Sequence, residues 1–181
     1  MPGNDQYLGA LLEADKAFFL LINKGCSNAF FDSVMPVLTN LGFVEIFVAL
    51  VVIFIFSNNK KIRIFGLFLL IALCVSDLLG NALKEFIARL RPFNVILGVH
   101  VLVEASGFSF PSLHAVAIFT GTTLASVYFR RFYFLFITAF IVAFSRVYLG
   151  VHFPLDVIGG ALIGSLMGYC FAVMAKRLNN D

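Results

Sequence analysis

Residues Phe108–Phe129 read FSFPSLHAVAIFTGTTLASVYF. From Phe110 onward the stretch is apolar for about 20 residues, the length that crosses a bilayer as a helix. Pro111, Ser112 and His114 nonetheless stand at its front edge. Polar groups at membrane depth are costly and mark function by default. A run of this kind points to a membrane helix that opens on a site.

The rest of the chain agrees. Of its 181 residues, 61% are hydrophobic and 13% charged, with mean hydropathy +0.98. A soluble domain carries about 25% charge. Three further runs have spanning length, at about Arg63–Leu83, Phe132–Val151 and Leu155–Ala175. A fifth, about Gly42–Phe56, reaches that length by extending back through FFDSVMPVLTN, where Pro36 can bend it. The first run, YLGALLEADKAFFLLIN, holds Glu13, Asp15 and Lys16 in its middle. It reads as an amphipathic helix lying in the interface.

The expected fold is therefore all-α, a polytopic transmembrane bundle of five spans plus an N-terminal interfacial helix. Six spans is the alternative. One membrane domain covers 1–181, with the interfacial helix in 1–27 and the bundle in 28–181. The N-terminus has no basic region followed by an apolar core, so no cleavable signal peptide is expected. The net charge of +3 is spread in short clusters between apolar runs, which leaves no basic arm for nucleic acid. Cys26, Cys74 and Cys170 are far apart and form neither a disulfide framework nor a metal motif. Cys74 and Cys170 are expected to pack within the bundle. Nothing in the sequence fixes an oligomeric state.

With five spans, Lys60, Lys61, Arg63, Arg130, Arg131, Lys176 and Arg177 fall on one side. Lys16, Lys24, Lys84, Arg89, Arg91 and Arg146 fall on the other. The excess of positive loops marks the cytoplasmic side, so the opposite side faces the periplasm or cell exterior.

Three polar islands share that outer side: Ser76–Asn94, Phe108–Ala115 and Ser145–Asp156. Lys84 and Arg91 are two helical turns apart on one face, and Arg146 adds a third cation. Three clustered cations call for an anion among them, and phosphate fits their charge and forked donors. Pro111 is placed to open a helix, leaving the N–H groups of Ser112, Leu113 and His114 free for an anion. Pro154 implies a second helix start beside the same pocket. Asp156 stands four residues after His152, in reach of one ring nitrogen, which leaves the other as a nucleophile or base. Each residue has a plainer reading: Lys84, Arg91 and Arg146 can snorkel, Ser112 can cap its helix, and Asp156 can complement a helix dipole. Asp77 and Asn81 share the Lys84 face and either orient it or bond between helices. Arg89, His100 and Glu104 are expected at solvent or headgroups, with contact to a substrate left open for some of them.

These residues resemble the three-part signature of the type 2 phosphatidic acid phosphatase family. KEFIARLRP, Lys84 to Pro92, matches its first part, and SRVYLGVHFPLD, Ser145 to Asp156, matches its third. PSLH matches the second except at Leu113, where glycine is usual. The resemblance implies a helical lipid phosphatase without a metal or other cofactor, acting on a phosphorylated lipid in the bilayer. It implies that His152 attacks phosphorus, Asp156 orients it, and His114 protonates the leaving oxygen. Lys84, Arg91, Ser112, Arg146 and the N–H near Leu113 then hold the phosphate. The Leu113 side chain is expected at the pocket entrance. Lipid A 1-phosphate, undecaprenyl pyrophosphate and phosphatidylglycerol phosphate are the implied substrates. Two other classes are weighed: a transporter with buried charges, and remotely a vanadate-dependent haloperoxidase. Clustering on one face and the lack of repeats oppose the first, and the hydropathy opposes the second.

Overall fold

The computed structural model describes residues 4–40 and 53–180. They form α1 (Asn4–Asn23), α2 (Ala29–Asn40), α3 (Lys60–Ile87), α4 (Pro92–Val95), α5 (Leu113–Phe129), α6 (Leu135–Tyr148) and α7 (Pro154–Asn180). No strand occurs among the described residues, as an all-α fold requires.

Helix α3 begins where the Asn59 side chain accepts from the N–H groups of Lys61 and Ile62, at 2.9 and 3.4 Å. This satisfies donors that a helix start leaves free. It ends at Ala88, which turns left-handed at φ 49°. Arg63 and Lys84 are 21 residues apart, about 32 Å along the axis. That is the thickness of a hydrocarbon core.

The centre of the molecule is the pair α5 and α7. Gly160, Gly164 and Gly168 recur every fourth residue and so line one face of α7. A Cβ at Gly160 would stand 2.7 Å from the Ser112 carbonyl oxygen and 3.0 Å from the Ala115 Cβ. At Gly168 it would stand 2.9 Å from the Thr123 Cβ. The backbones thus meet as closely as small residues permit. Helix α3 packs on the same pair through Phe65, Leu69 and Ala72, which share a buried cluster with Leu124, Tyr128 and Ala172. The outer faces of α3, α6 and α7 expose Leu78, Phe86, Ile137, Phe140, Leu162 and Leu166. An apolar surface of this extent suits lipid and not water.

Among the described residues, Lys60–Val95 and Pro154–Asn179 are long and apolar enough to cross a membrane. Ala29–Thr39, Leu113–Phe129 and Leu135–Tyr148 are shorter apolar helices. Most of the expected run Gly42–Phe56 lies outside the described residues. Pro36 lies inside α2.

Several expectations need correcting. Helix α5 starts at Leu113 with Ser112 as its N-cap, so Pro111 precedes the helix. The run from Phe132 yields its first residues to a turn, in which Leu135 N–H bonds the Phe132 carbonyl at 3.0 Å. Cys74 and Cys170 are exposed, not packed. Helix α1 is docked on the bundle: Asp15, Phe19 and Asn23, spaced by four, are buried on one face. Phe19 meets the Phe153 ring edge-on at 5.4 Å. Asn23 donates to the His100 and Tyr148 carbonyls, both at 2.8 Å, and accepts from the His100 N–H at 3.0 Å.

Candidate active site

The alternating direction of α3, α5, α6 and α7 brings the three polar islands to one end of the bundle. Lys84 comes from the last turn of α3 and Arg91 from the segment after it. Ser112 and His114 come from the start of α5, Arg146 from the end of α6, and His152 and Asp156 from the junction of α6 and α7.

His152 is 2% exposed and Asp156 fully buried. The His152 Nδ1 lies 3.7 Å from Asp156 Oδ2 and 3.5 Å from the Ser109 Oγ. The Ser109 hydroxyl donates to Asp156 Oδ2, and the Phe153 N–H donates to the same oxygen at 2.7 Å. Nδ1 therefore faces acceptors and carries the proton, which leaves the Nε2 lone pair free. Nε2 lies 3.5 Å from Arg91 Nη1. Burial drives the His152 pKa from 6.5 down to about 4, against the upward pull of Asp156. The ring is neutral at ordinary pH, as a nucleophile must be.

The cations divide into held and free. Arg91 donates to the Val151 carbonyl at 2.8 Å and to the Ser106 and Gly107 carbonyls at 2.8–3.2 Å. These bonds fix its plane beside His152. The Lys84 Nζ donates to the Phe108 carbonyl at 2.7 Å. Arg146, 5% exposed, has buried Nε and Nη1 atoms that find no partner among the described residues. The buried Ser112 Oγ has none either and makes no bond to the start of α5. Ser112 thus holds the N-cap position of α5, but its side chain does not cap the helix. Lys84, Arg91 and Arg146 are close enough to repel one another, and His114 feels all three together with His152. His114 is exposed at the mouth of this cluster.

Four sequence expectations change here. The Ser112 N–H is not free, because it donates to the Asp156 backbone oxygen at 3.0 Å. The start of α7 is not free for an anion either: Asp15 accepts from the Leu155 N–H at 2.9 Å. Asp77 and Asn81 do not hold Lys84; Asn81 donates to the Asp77 carboxylate and carbonyl, each at 3.0 Å, and both are exposed. The Leu113 side chain packs toward Gly80 of α3, one turn before Lys84, so to the expected place at the pocket entrance is added a helix contact.

Sequence reasoning passed over Ser109, Asp15 and the role of Arg89. Arg89 is not at solvent: its two terminal nitrogens bind Asp156 Oδ1 at 2.6 Å and Asp15 Oδ2 at 2.5 Å. His100 likewise pairs with Asp32, at 3.1 Å. Ser109 sat within a polar island, two residues before Pro111, and that was its only signal. Among the described residues, no three His, Cys, Asp or Glu side chains converge as metal ligands would.

Residues 65–180 match a family model described as the PAP2 superfamily. An undecaprenyl-diphosphatase of Sulfolobus acidocaldarius is 32% identical over 92% of this chain and 79% of its own length. A lipid A 4'-phosphatase of Bacteroides thetaiotaomicron is 28% identical over 93% of this chain and 80% of its own. The crystal structure of a PAP2-type phosphatidylglycerolphosphate phosphatase from Bacillus subtilis superposes with a TM-score of 0.73. It is 29% identical, over 94% of this chain and 87% of that one.

Proposed function

The chain belongs to the PAP2 superfamily, and from that membership we propose a lipid phosphatase of the cytoplasmic membrane that works through a phosphohistidine at its outer face. As a member it hydrolyses phosphate ester or diphosphate bonds of lipids. The single observation that carries the finer reading is a pair of orphaned groups among the residues brought together here, beside two orphaned hydroxyls, of Thr123 and Ser126, further along α5. Among the described residues, Arg146 Nε and Nη1 and Ser112 Oγ are buried donors without partners. An uncompensated buried cation costs several kcal/mol or so, and a phosphate removes that cost.

The phosphate binds Arg146 and Ser112 first, then Lys84, Arg91 and the N–H groups of Leu113 and His114 at the start of α5. His152 Nε2 attacks phosphorus in line as the bond to the leaving oxygen breaks. Asp156 accepts from Nδ1–H and stabilises the imidazolium that forms. His114 donates a proton to the leaving oxygen, so a lipid alcohol or lipid monophosphate departs. Water then attacks phosphorus, His114 takes its proton, and the phosphorus–nitrogen bond breaks to release phosphate. Lys84, Arg91 and Arg146 offset the charge that develops on the equatorial oxygens, so no metal or other cofactor enters the mechanism.

The candidate substrates are undecaprenyl pyrophosphate, lipid A 1-phosphate and phosphatidylglycerol phosphate. The cationic ends of the helices lie opposite the site and support a site facing outward, with five spans and α1 at the interface. The test is phosphate release by purified protein in detergent from each lipid. His152→Ala and His114→Ala are expected to lower turnover at least about a thousandfold on the preferred lipid, the scale of removing a nucleophile or a positioned acid. Either variant within twofold of wild type overturns the assignment.

A further inference from the structure

Asp15 is 4% exposed on a helix whose neighbouring charges, Glu13 and Lys16, pair with each other at the surface. It reaches into the site from 74 residues before Arg89 and 140 before Leu155. One carboxylate oxygen accepts from the Leu155 N–H at 2.9 Å, in the first turn of α7. The other accepts from Arg89 at 2.5 Å. Arg89 turns its second terminal nitrogen to Asp156 at 2.6 Å. Its guanidinium lies 4.3 Å from the Phe153 ring centroid, and that ring rests on Phe19 of α1. The Arg89 carbonyl in turn accepts the Ser109 N–H at 2.7 Å, next to the hydroxyl that binds Asp156.

We propose that Asp15 is a positioning residue for His152, acting through Arg89 on Asp156. The proposal rests on the reading of His152 as nucleophile. Two consequences follow from the geometry. The first is placement. Asp156 Oδ1 is fixed by Arg89, and Arg89 is fixed by Asp15 and Phe153, so the carboxylate cannot swing away from the imidazole. The second is charge. One guanidinium serves two buried carboxylates. If Arg89 served Asp156 alone, it would neutralise the charge that must stabilise the His152 imidazolium during attack. Sharing it with Asp15 leaves Asp156 incompletely compensated until that cation forms. The N-terminal helix therefore supplies a working part of the site.

The experiment measures kcat, KM and melting temperature of the purified full chain in detergent, on the preferred lipid of the three. Asp15→Asn keeps an acceptor for the Leu155 N–H but loses the charge. It is expected to lower kcat about 10–100-fold, the usual loss when an outer partner of a working side chain is removed. KM is expected to stay within about threefold and the melting temperature within a few degrees, a split that a purely structural role does not produce. Asp15→Glu is expected to recover part of kcat. Arg89→Lys retains charge but cannot bridge both carboxylates, and is expected to lose kcat as Asp15→Asn does. The Asp15→Asn/Arg89→Lys double variant is expected to be no slower than the worse single one, because both break one relay. Unchanged kcat in Asp15→Asn overturns the proposal. So does a loss confined to KM, or one that scales with melting temperature. If Asp15→Asn does not fold, wild-type kcat in Arg89→Lys overturns it instead. His152→Ala run in parallel separates the two readings. An active His152→Ala removes the nucleophile assignment. An inactive one beside a fully active Asp15→Asn removes only the relay.

Discussion

The Leu113 side chain of α5 fills the space over Gly80 of α3, so that a Cβ on Gly80 would collide with its Cδ2. Gly80 is buried, and it lies one turn before Lys84 on the same helix. The departure from the family glycine at position 113 is thus met by a glycine on the facing helix. The larger side chain is turned into a helix contact. It spaces the Lys84 turn from the Ser112 turn, the two ends that grip one phosphate in the proposed mechanism.

A double-mutant cycle tests this contact. Gly80→Ala is expected to lower kcat/KM about threefold by turning the end of the Leu113 side chain out of its place between α3 and α5. Leu113→Gly alone is expected to keep turnover and to lose about 1–3 kcal/mol of stability, from lost packing and a glycine in the first turn. The two together are expected to recover activity relative to Gly80→Ala. Strict additivity in kcat/KM shows that the pair is not coupled.

Ser112→Ala separates binding from stability. Its Oγ has no partner among the described residues, so removing it leaves none of their groups unsatisfied. The melting temperature is expected to hold within a few degrees, while kcat/KM falls about 10–100-fold, the cost of roughly 1.5–3 kcal/mol for one bond to a charged group. A large loss of stability with normal kinetics makes Ser112 structural.

The parts legible in the sequence were those whose partners are near in the chain or fixed by spacing. Asp156 follows His152 by four residues and Lys84 precedes Arg91 by seven, although α3 ends between these two at Ala88, so they do not share the helix face that the spacing predicts. The alternation of helices carried the three islands to one end. Asp15 was hidden because its partners stand far off in sequence, and because Glu13 and Lys16 beside it are surface residues. A face of Asp15, Phe19 and Asn23 at four-residue spacing was the readable sign of docking. The side-chain direction of Leu113 was not readable, since Gly80 leaves no trace of the hole it makes. Nor was the use of the Ser112 N–H, which bonds a backbone oxygen of another helix.

His152 also predicts a dependence of stability on pH. Its folded pKa is lowered from 6.5 to about 4 by burial. Between those values the unfolded chain binds a proton here that the folded chain refuses, so stability rises with pH. The contribution is complete above pH 6.5 and is lost as pH falls through 6.5 toward about 4. The slope is about 1.4 kcal/mol per pH unit once well inside that window. Melting of wild type in detergent is expected to fall more steeply between pH 7 and 5 than that of His152→Gln. Parallel curves contradict it.

The proposed orientation of the site rests on the two ends of one bundle. Lys60, Lys61 and Arg63 open α3, Arg130 and Arg131 join α5 to α6, and Lys176 and Arg177 close α7, all opposite His152. Positive loops stay in the cytoplasm, so the site is expected to face out. Leu97, 96% exposed in the segment after α4, reports the site end, and Asn58, exposed before α3, reports the other. Cys26, Cys74 and Cys170 are free thiols and are replaced by serine or alanine first. In intact cells, Leu97→Cys is expected to react with a membrane-impermeant maleimide, and Asn58→Cys only after the membrane is opened. The opposite pattern reverses the topology. The substrate would then lie in the cytoplasmic leaflet.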